Sequence, residues 1–165
     1  MVDPSELSHL DERGNPRMVD VGDKAITLRT ARAEAVVRMN RETAEALAAR
    51  SLKKGDAFTV AQIAGIQAAK ETSRLIPLCH PLPLDKIDVD FESPDPDPDN
   101  PEKVLIRVTS FLRCEAKTGV EMEALTAVSV AALALYDMCK AIDRRMEVAS
   151  IRLVEKTGGK EDFRG

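Results

Sequence analysis

Residues 30–39 alternate between apolar and polar positions. Ala31, Ala33, Ala35, Val37 and Met39 point one way, and Arg32, Glu34 and Arg38 the other. A period of two predicts a half-buried strand. Asn40 then stands where it can cap a short helix over 41–50. Lys53-Lys54-Gly55-Asp56 breaks that pattern, and Asp56 fits as the N-cap of a second helix over 57–74. Val60, Ile63, Ile66 and Ala69 lie along one face of it. Pro77, Pro81 and Pro83 bracket Leu78-Cys79-His80, which predicts an extended or turning segment. Ile87, Val89 and Phe91 alternate with acids and predict a second strand. Residues 93–101, rich in Pro and Asp, predict an exposed acidic loop that only connects strands. Val104, Ile106 and Val108 start a third strand that runs to about Arg113, and a long helix follows over 119–142. A last strand is predicted over 147–156, with an irregularity at Ala149-Ser150.

The order strand, helices, strand, strand, helix, strand predicts an α+β fold. It is the ferredoxin-like arrangement, an antiparallel sheet with helices packed on one face. The other sheet face is then solvated or covered by a partner. At 165 residues the chain has the length of one domain with a real core. Residues 1–20 are polar and aperiodic and predict a flexible N-terminal arm. Residues 21–157 form the single domain, and 158–165 a flexible C-terminal tail.

Composition narrows the function classes. Aromatics are 3% with no Trp, which argues against base-stacking surfaces for nucleic acid. A net charge of −4 argues against a broad DNA-binding face. Cys79, Cys114 and Cys139 are odd in number and widely spaced, the pattern of reduced thiols in a cytosolic protein. The N-terminus is polar, and no run is expected to approach the roughly 18 apolar residues of a membrane span. The expectation is a cytoplasmic protein with no membrane and no nucleic-acid partner.

The stretch from Lys117 to Lys140 carries the chemistry. Glu121 and Glu123 open a nearly all-apolar helix, and Asp137 and Lys140 end it. Buried ionisable groups are costly unless something pairs with them. A surface ion pair is the plain alternative for Asp137 and Lys140, which are i, i+3 neighbours. Leu133, Leu135, Tyr136 and Met138 are expected to crowd Asp137 with apolar surface, which favours a site. On a continuous helix Glu123 and Asp137 lie about 21 Å apart along the axis. Either the ligand is long, or the two ends serve different sites, or two copies of the chain share one. Lys54, Lys70, His80 and Lys156 are further candidates, although His80 in a Pro-rich loop fits a structural role equally well. Cys79-His80 lacks the other ligands of a metal site, so no metal is expected.

Several long segments resemble one known family. They are His9-Leu10-Asp11 with Met18-Val19-Asp20-Val21, Lys54-Gly55-Asp56, Ala61 to Lys70, Leu75 to Leu82, Lys117 to Thr126, and Tyr136 to Ala141. In this order they are similar to the cyclic pyranopterin monophosphate synthases of molybdenum cofactor biosynthesis, the MoaC family. The resemblance implies a lyase whose subunits are ferredoxin-like and form a homohexamer, a trimer of dimers with active sites at interfaces. The implied substrate is (8S)-3',8-cyclo-7,8-dihydroguanosine 5'-triphosphate, supplied by a radical enzyme. The implied products are cyclic pyranopterin monophosphate and pyrophosphate. No resident cofactor is implied, and Mg²⁺ would enter only through the triphosphate.

By position, Asp137 matches the catalytic acid/base. Lys54 is expected to share proton transfer with it, and Lys140 to hold phosphate. Leu78, Cys79, His80, Met122 and Glu123 would line the substrate pocket. Arg29, Lys70, Glu121 and Lys156 match other charged site positions. Without the resemblance, the residues point to a ferredoxin-like enzyme acting on a phosphorylated small molecule. They leave open a nucleotide-binding module without turnover, and an assembly protein whose charges pair between subunits.

Overall fold

The computed structural model describes residues 13–165. The His9-Leu10-Asp11 segment and the first part of the predicted arm lie outside the described residues. The elements run β1 (Thr27–Asn40), α1 (Arg41–Ala48), α2 (Ala57–Leu75), β2 (Lys86–Phe91), β3 (Asp95–Pro96), β4 (Lys103–Ala116), α3 (Glu121–Cys139), β5 (Glu147–Thr157) and β6 (Phe163–Arg164). The sheet is antiparallel, in the order β2-β4-β1-β5-β6, with β3 also on β4. This is the expected α+β, ferredoxin-like architecture.

Alternation in β1 and β4 builds the core. Ala31, Ala33, Ala35, Val37 and Met39 interleave with Ile106, Val108, Leu112 and Cys114 on one face, all buried. β5 carries two irregularities against β1. Val36 pairs with Ser150 and Val37 with Val148, so Ala149 is the extra residue at the predicted place. A second falls at Val154, between the Ala33–Leu153 and Arg32–Glu155 pairs.

The caps differ from each other. Asp56 accepts the Thr59 N–H at 3.1 Å, as expected for an N-cap. Asn40 holds the cap position of α1, but its side chain makes no capping bond. Its backbone N–H goes instead to Asp143 Oδ2 at 2.8 Å.

α2 and α3 cross the covered face side by side. The α2 stripe that faces inward is small: Ala57, Ala61, Gly65, Ala68, Ala69 and Thr72. Val60 and Ile63, which share a predicted apolar face with Ala69, are 43% and 57% exposed. Close approach of the helices explains the difference. A Cβ on Gly65 would sit 2.8 Å from the Ala127 carbonyl oxygen, an overlap that costs about 1–3 kcal/mol in a packed core. Larger side chains are therefore turned outward. α3 has 19 residues and a mean hydropathy of 1.4. By length and composition it could cross a membrane, contrary to the expectation that no run comes near. In the fold Ala124, Ala127, Val128, Ala131, Ala132 and Leu135 pack in the core, while Leu133 is exposed.

The uncovered sheet face is charged. Glu34 takes Arg152 Nε at 2.7 Å and Arg107 Nη1 at 3.0 Å. Burial would raise this carboxyl, but the two guanidiniums outweigh it and hold it below the usual range. The acidic loop also does more than connect strands. Asp95 and Pro96 pair with Leu105 and Val104, and Asp97, only 4% exposed, lies 2.7 Å from Arg38 Nε. A Pro/Asp composition hides such long-range partners. The chain end expected as a flexible tail turns back, and Phe163 pairs with Lys156 and Arg164 with Glu155.

Candidate active site

The first turn of α3 builds one charged cluster. Pro77 and Pro81 hold Leu78-Cys79-His80 out of helix, and the Cys79 N–H closes a turn on Ile76 O at 3.1 Å. Leu78, Cys79, His80, Glu121, Met122 and Glu123 line a cavity of about 400 Å³. All six are predicted site residues. Glu123 is 4% exposed, and no cation pairs with it among the described residues. Burial first, and then the Glu121 charge, push its carboxyl up to about 7. Burial likewise raises the Cys79 thiol, helped by the Glu123 and Glu121 carboxylates. A thiol raised in this way is not an activated nucleophile, and Cys79 stands half-buried in the cavity wall.

A second cavity of about 560 Å³ adjoins the first and is lined by Arg29, Glu121 and Lys156. Lys156 Nζ stands 3.2 Å from Glu121 Oε1. Arg29 Nη2 reaches only a long contact, 3.5 Å, to the Lys117 carbonyl. Arg29 Nε and Glu121 Oε2 are buried without a hydrogen-bond partner. A native fold rarely strands a donor and an acceptor together unless a ligand or water meets them.

The last turn of α3 builds the other cluster. Lys140 Nζ lies 2.6 Å from Asp137 Oδ1, and Lys54 Nζ lies 3.2 Å from Oδ2. Lys54 also donates to the Asp137 backbone carbonyl at 2.8 Å. Sequence separation hid this convergence of Lys54, from the loop before α2, with α3. The Asp137 side chain is 58% exposed, not crowded by apolar groups. On a helix only positions three or four away share its face. Leu135, Tyr136 and Met138 point elsewhere, and Leu133 is itself exposed. Hydrogen bonds and charge from Lys140 and Lys54 hold the Asp137 carboxyl below its ordinary range. Its partner Lys140 is raised in turn. The trio is two ammoniums around one carboxylate, a net cation beside a hollow that Arg144 also lines.

Lys70 stands exposed on α2 and lines neither cavity nor this hollow. Lys24, Arg144 and Lys160 line the walls without having been singled out in the sequence. They lie on turns and chain ends with no periodic signal, so only the tertiary fold places them. Among the described residues no three His, Cys, Asp or Glu side chains gather to hold a metal ion.

The two ends of α3 thus offer different chemistry. The first supplies a buried carboxyl that titrates near neutral pH, a His and a stranded donor and acceptor, suited to a polar heterocycle. The second supplies fixed cations for developing oxyanion charge. The model of the MoaC family matches residues 18–159, a span that takes in both clusters. The chain therefore belongs to the MoaC family, an enzyme family of molybdenum cofactor biosynthesis.

Proposed function

We propose that the protein converts (8S)-3',8-cyclo-7,8-dihydroguanosine 5'-triphosphate to cyclic pyranopterin monophosphate and pyrophosphate, as a lyase. The observation that carries this reading is the sorting of charged positions. Except for Lys70, every charged site residue falls at one end of α3 or the other, about 21 Å apart along the axis. No single chain brings the ends together around one small triphosphate. The site is completed by a second copy, in a homohexamer built as a trimer of dimers. Exposed Val60, Ile63 and Leu133 on the two helices supply apolar surface for such contacts.

The purine-derived ring binds in the first cavity, where Glu123 and His80 orient it. Ring opening and rearrangement need a group that gives and takes protons near neutral pH, and the Glu123 carboxyl has the right range. A sugar hydroxyl then attacks the alpha phosphorus. The new P–O bond closes the cyclic phosphate, the bond to pyrophosphate breaks, and the hydroxyl proton leaves to a base. Lys54 and Lys140 of the neighbouring copy meet the phosphoryl oxygens. Drawing these ammoniums toward phosphate loosens their hold on Asp137, so its carboxylate regains basicity as the substrate seats. Asp137 is then the proton acceptor and Lys54 the matching donor. Any Mg²⁺ arrives with the triphosphate as part of the substrate.

Incubation of the purified chain with the cyclic triphosphate tests this. Equimolar pyrophosphate and cyclic monophosphate are expected. Saturable binding with no pyrophosphate would instead favour a nucleotide-binding module without turnover.

A further inference from the structure

The two cavities at the start of α3 share three wall residues: Gly119, Glu121 and Lys160. Lys160 is the cation common to both, and it has no ion-pair partner among the described residues. Its position is built by the chain end. Gly158, at φ +83°, makes a turn that only glycine adopts without strain. A Cβ there would also collide with Leu28 O, at 1.9 Å. The Gly158 N–H donates to Asp162 Oδ1 at 3.0 Å, and its carbonyl accepts the Thr27 hydroxyl at 2.9 Å. Beyond the turn, β6 pairs with β5, and the Gly165 N–H reaches Val154 O at 2.9 Å. The hairpin therefore fixes the Lys160 backbone at the junction and leaves its side chain exposed.

We propose that Lys160 is a phosphate ligand that straddles this junction, so that a phosphate chain leaving the first cavity passes into the second. Arg29 and Lys156 meet it there. The stranded Arg29 Nε supplies a donor for a phosphate oxygen, and the stranded Glu121 Oε2 an acceptor for a ligand hydroxyl or amine. The second cavity's wall balances Arg29, Lys156 and Lys160 with three acids, Glu121, Glu161 and Asp162, so phosphate binding there rests on placed donors and not on net charge. Glu121 is tied to Lys156 and Asp162 to the Gly158 N–H, while Glu123 sits deeper, buried in the first cavity. Glu161, the remaining acid, lines the second cavity only.

This rests on the phosphorylated substrate proposed above, but its test does not depend on turnover. Calorimetric titration of the full chain with inorganic tripolyphosphate is compared for the wild type, Lys160→Ala and Lys160→Arg. Binding by the wild type is expected, at least about tenfold weaker in Lys160→Ala and within about threefold in Lys160→Arg. The salt dependence of binding is expected to flatten in Lys160→Ala, and its melting curve to match the wild type. Equal affinity in wild type and Lys160→Ala overturns the proposal, as does a wild type that binds no tripolyphosphate. Failure of pyrophosphate release, measured separately, would count against the reaction and not against this subsite.

Discussion

Asp137→Asn is expected to lower turnover at least about a hundredfold while leaving folding stability nearly unchanged. The reasons for the two halves differ. Asn keeps the shape of the side chain but removes the charge that holds Lys140 Nζ at 2.6 Å and Lys54 Nζ at 3.2 Å. It also cannot accept a proton to form a neutral acid. The side chain is exposed, and exposed ion pairs add little to stability. Single-turnover rates and chemical denaturation, measured on the same preparations, separate the effects. Near wild-type turnover removes Asp137 from the mechanism. A large loss of stability would mean that the cluster is structural.

Glu123→Gln is expected to stabilise the fold in a pH-dependent way. The Glu123 carboxyl titrates at about 7 in the folded chain, against an ordinary value of 4.5. The folded state thus holds a proton through a range where the unfolded chain has lost it. Stability falls as pH rises between these values, because the unfolded state is the one that ionises freely. Above the folded value the full penalty applies, on the order of 3 kcal/mol for a shift of this size. Gln carries no such penalty. The variant should therefore be more stable than the wild type at pH 8, and the difference should vanish below about pH 4.5. Activity should fall, since an amide cannot pass a proton. A stability difference that is the same at both pH values would show that Glu123 does not titrate as its burial implies.

The repeating parts of the fold were legible in the sequence, and the parts made by distant partners were not. Alternation at 30–39 and at Val104, Ile106 and Val108 marked β1 and β4, which form the core of the sheet. The break at Ala149 was visible because apolar Val148 and Ile151 fall out of alternation there. Asp56 announced α2 through its cap. Misreadings came where the partner is remote. Asp97 looks like any loop acid until Arg38 covers it. Val60 and Ile63 look like a core stripe until the close contact at Gly65 selects alanines instead. In the site, both ends of α3 could be read from charge in an apolar helix, and Glu123 is buried as that argument requires. Asp137 is not, because neighbours in sequence are not neighbours on a helix face. Lys24 and Lys160 stand on turns, where no periodicity marks a side chain that faces a cavity.

Mixing subunits tests most directly whether the two ends of α3 serve one site across copies. His80→Ala removes a residue at the first end and Asp137→Asn at the last, and each alone is expected to be nearly inactive. The two variants are unfolded together, refolded as mixed assemblies and assayed for pyrophosphate release. If each site takes one end from each of two copies, random mixing restores about a quarter of wild-type activity. Activity no higher than that of the separate variants, in assemblies shown to be mixed, would contradict a site shared between subunits.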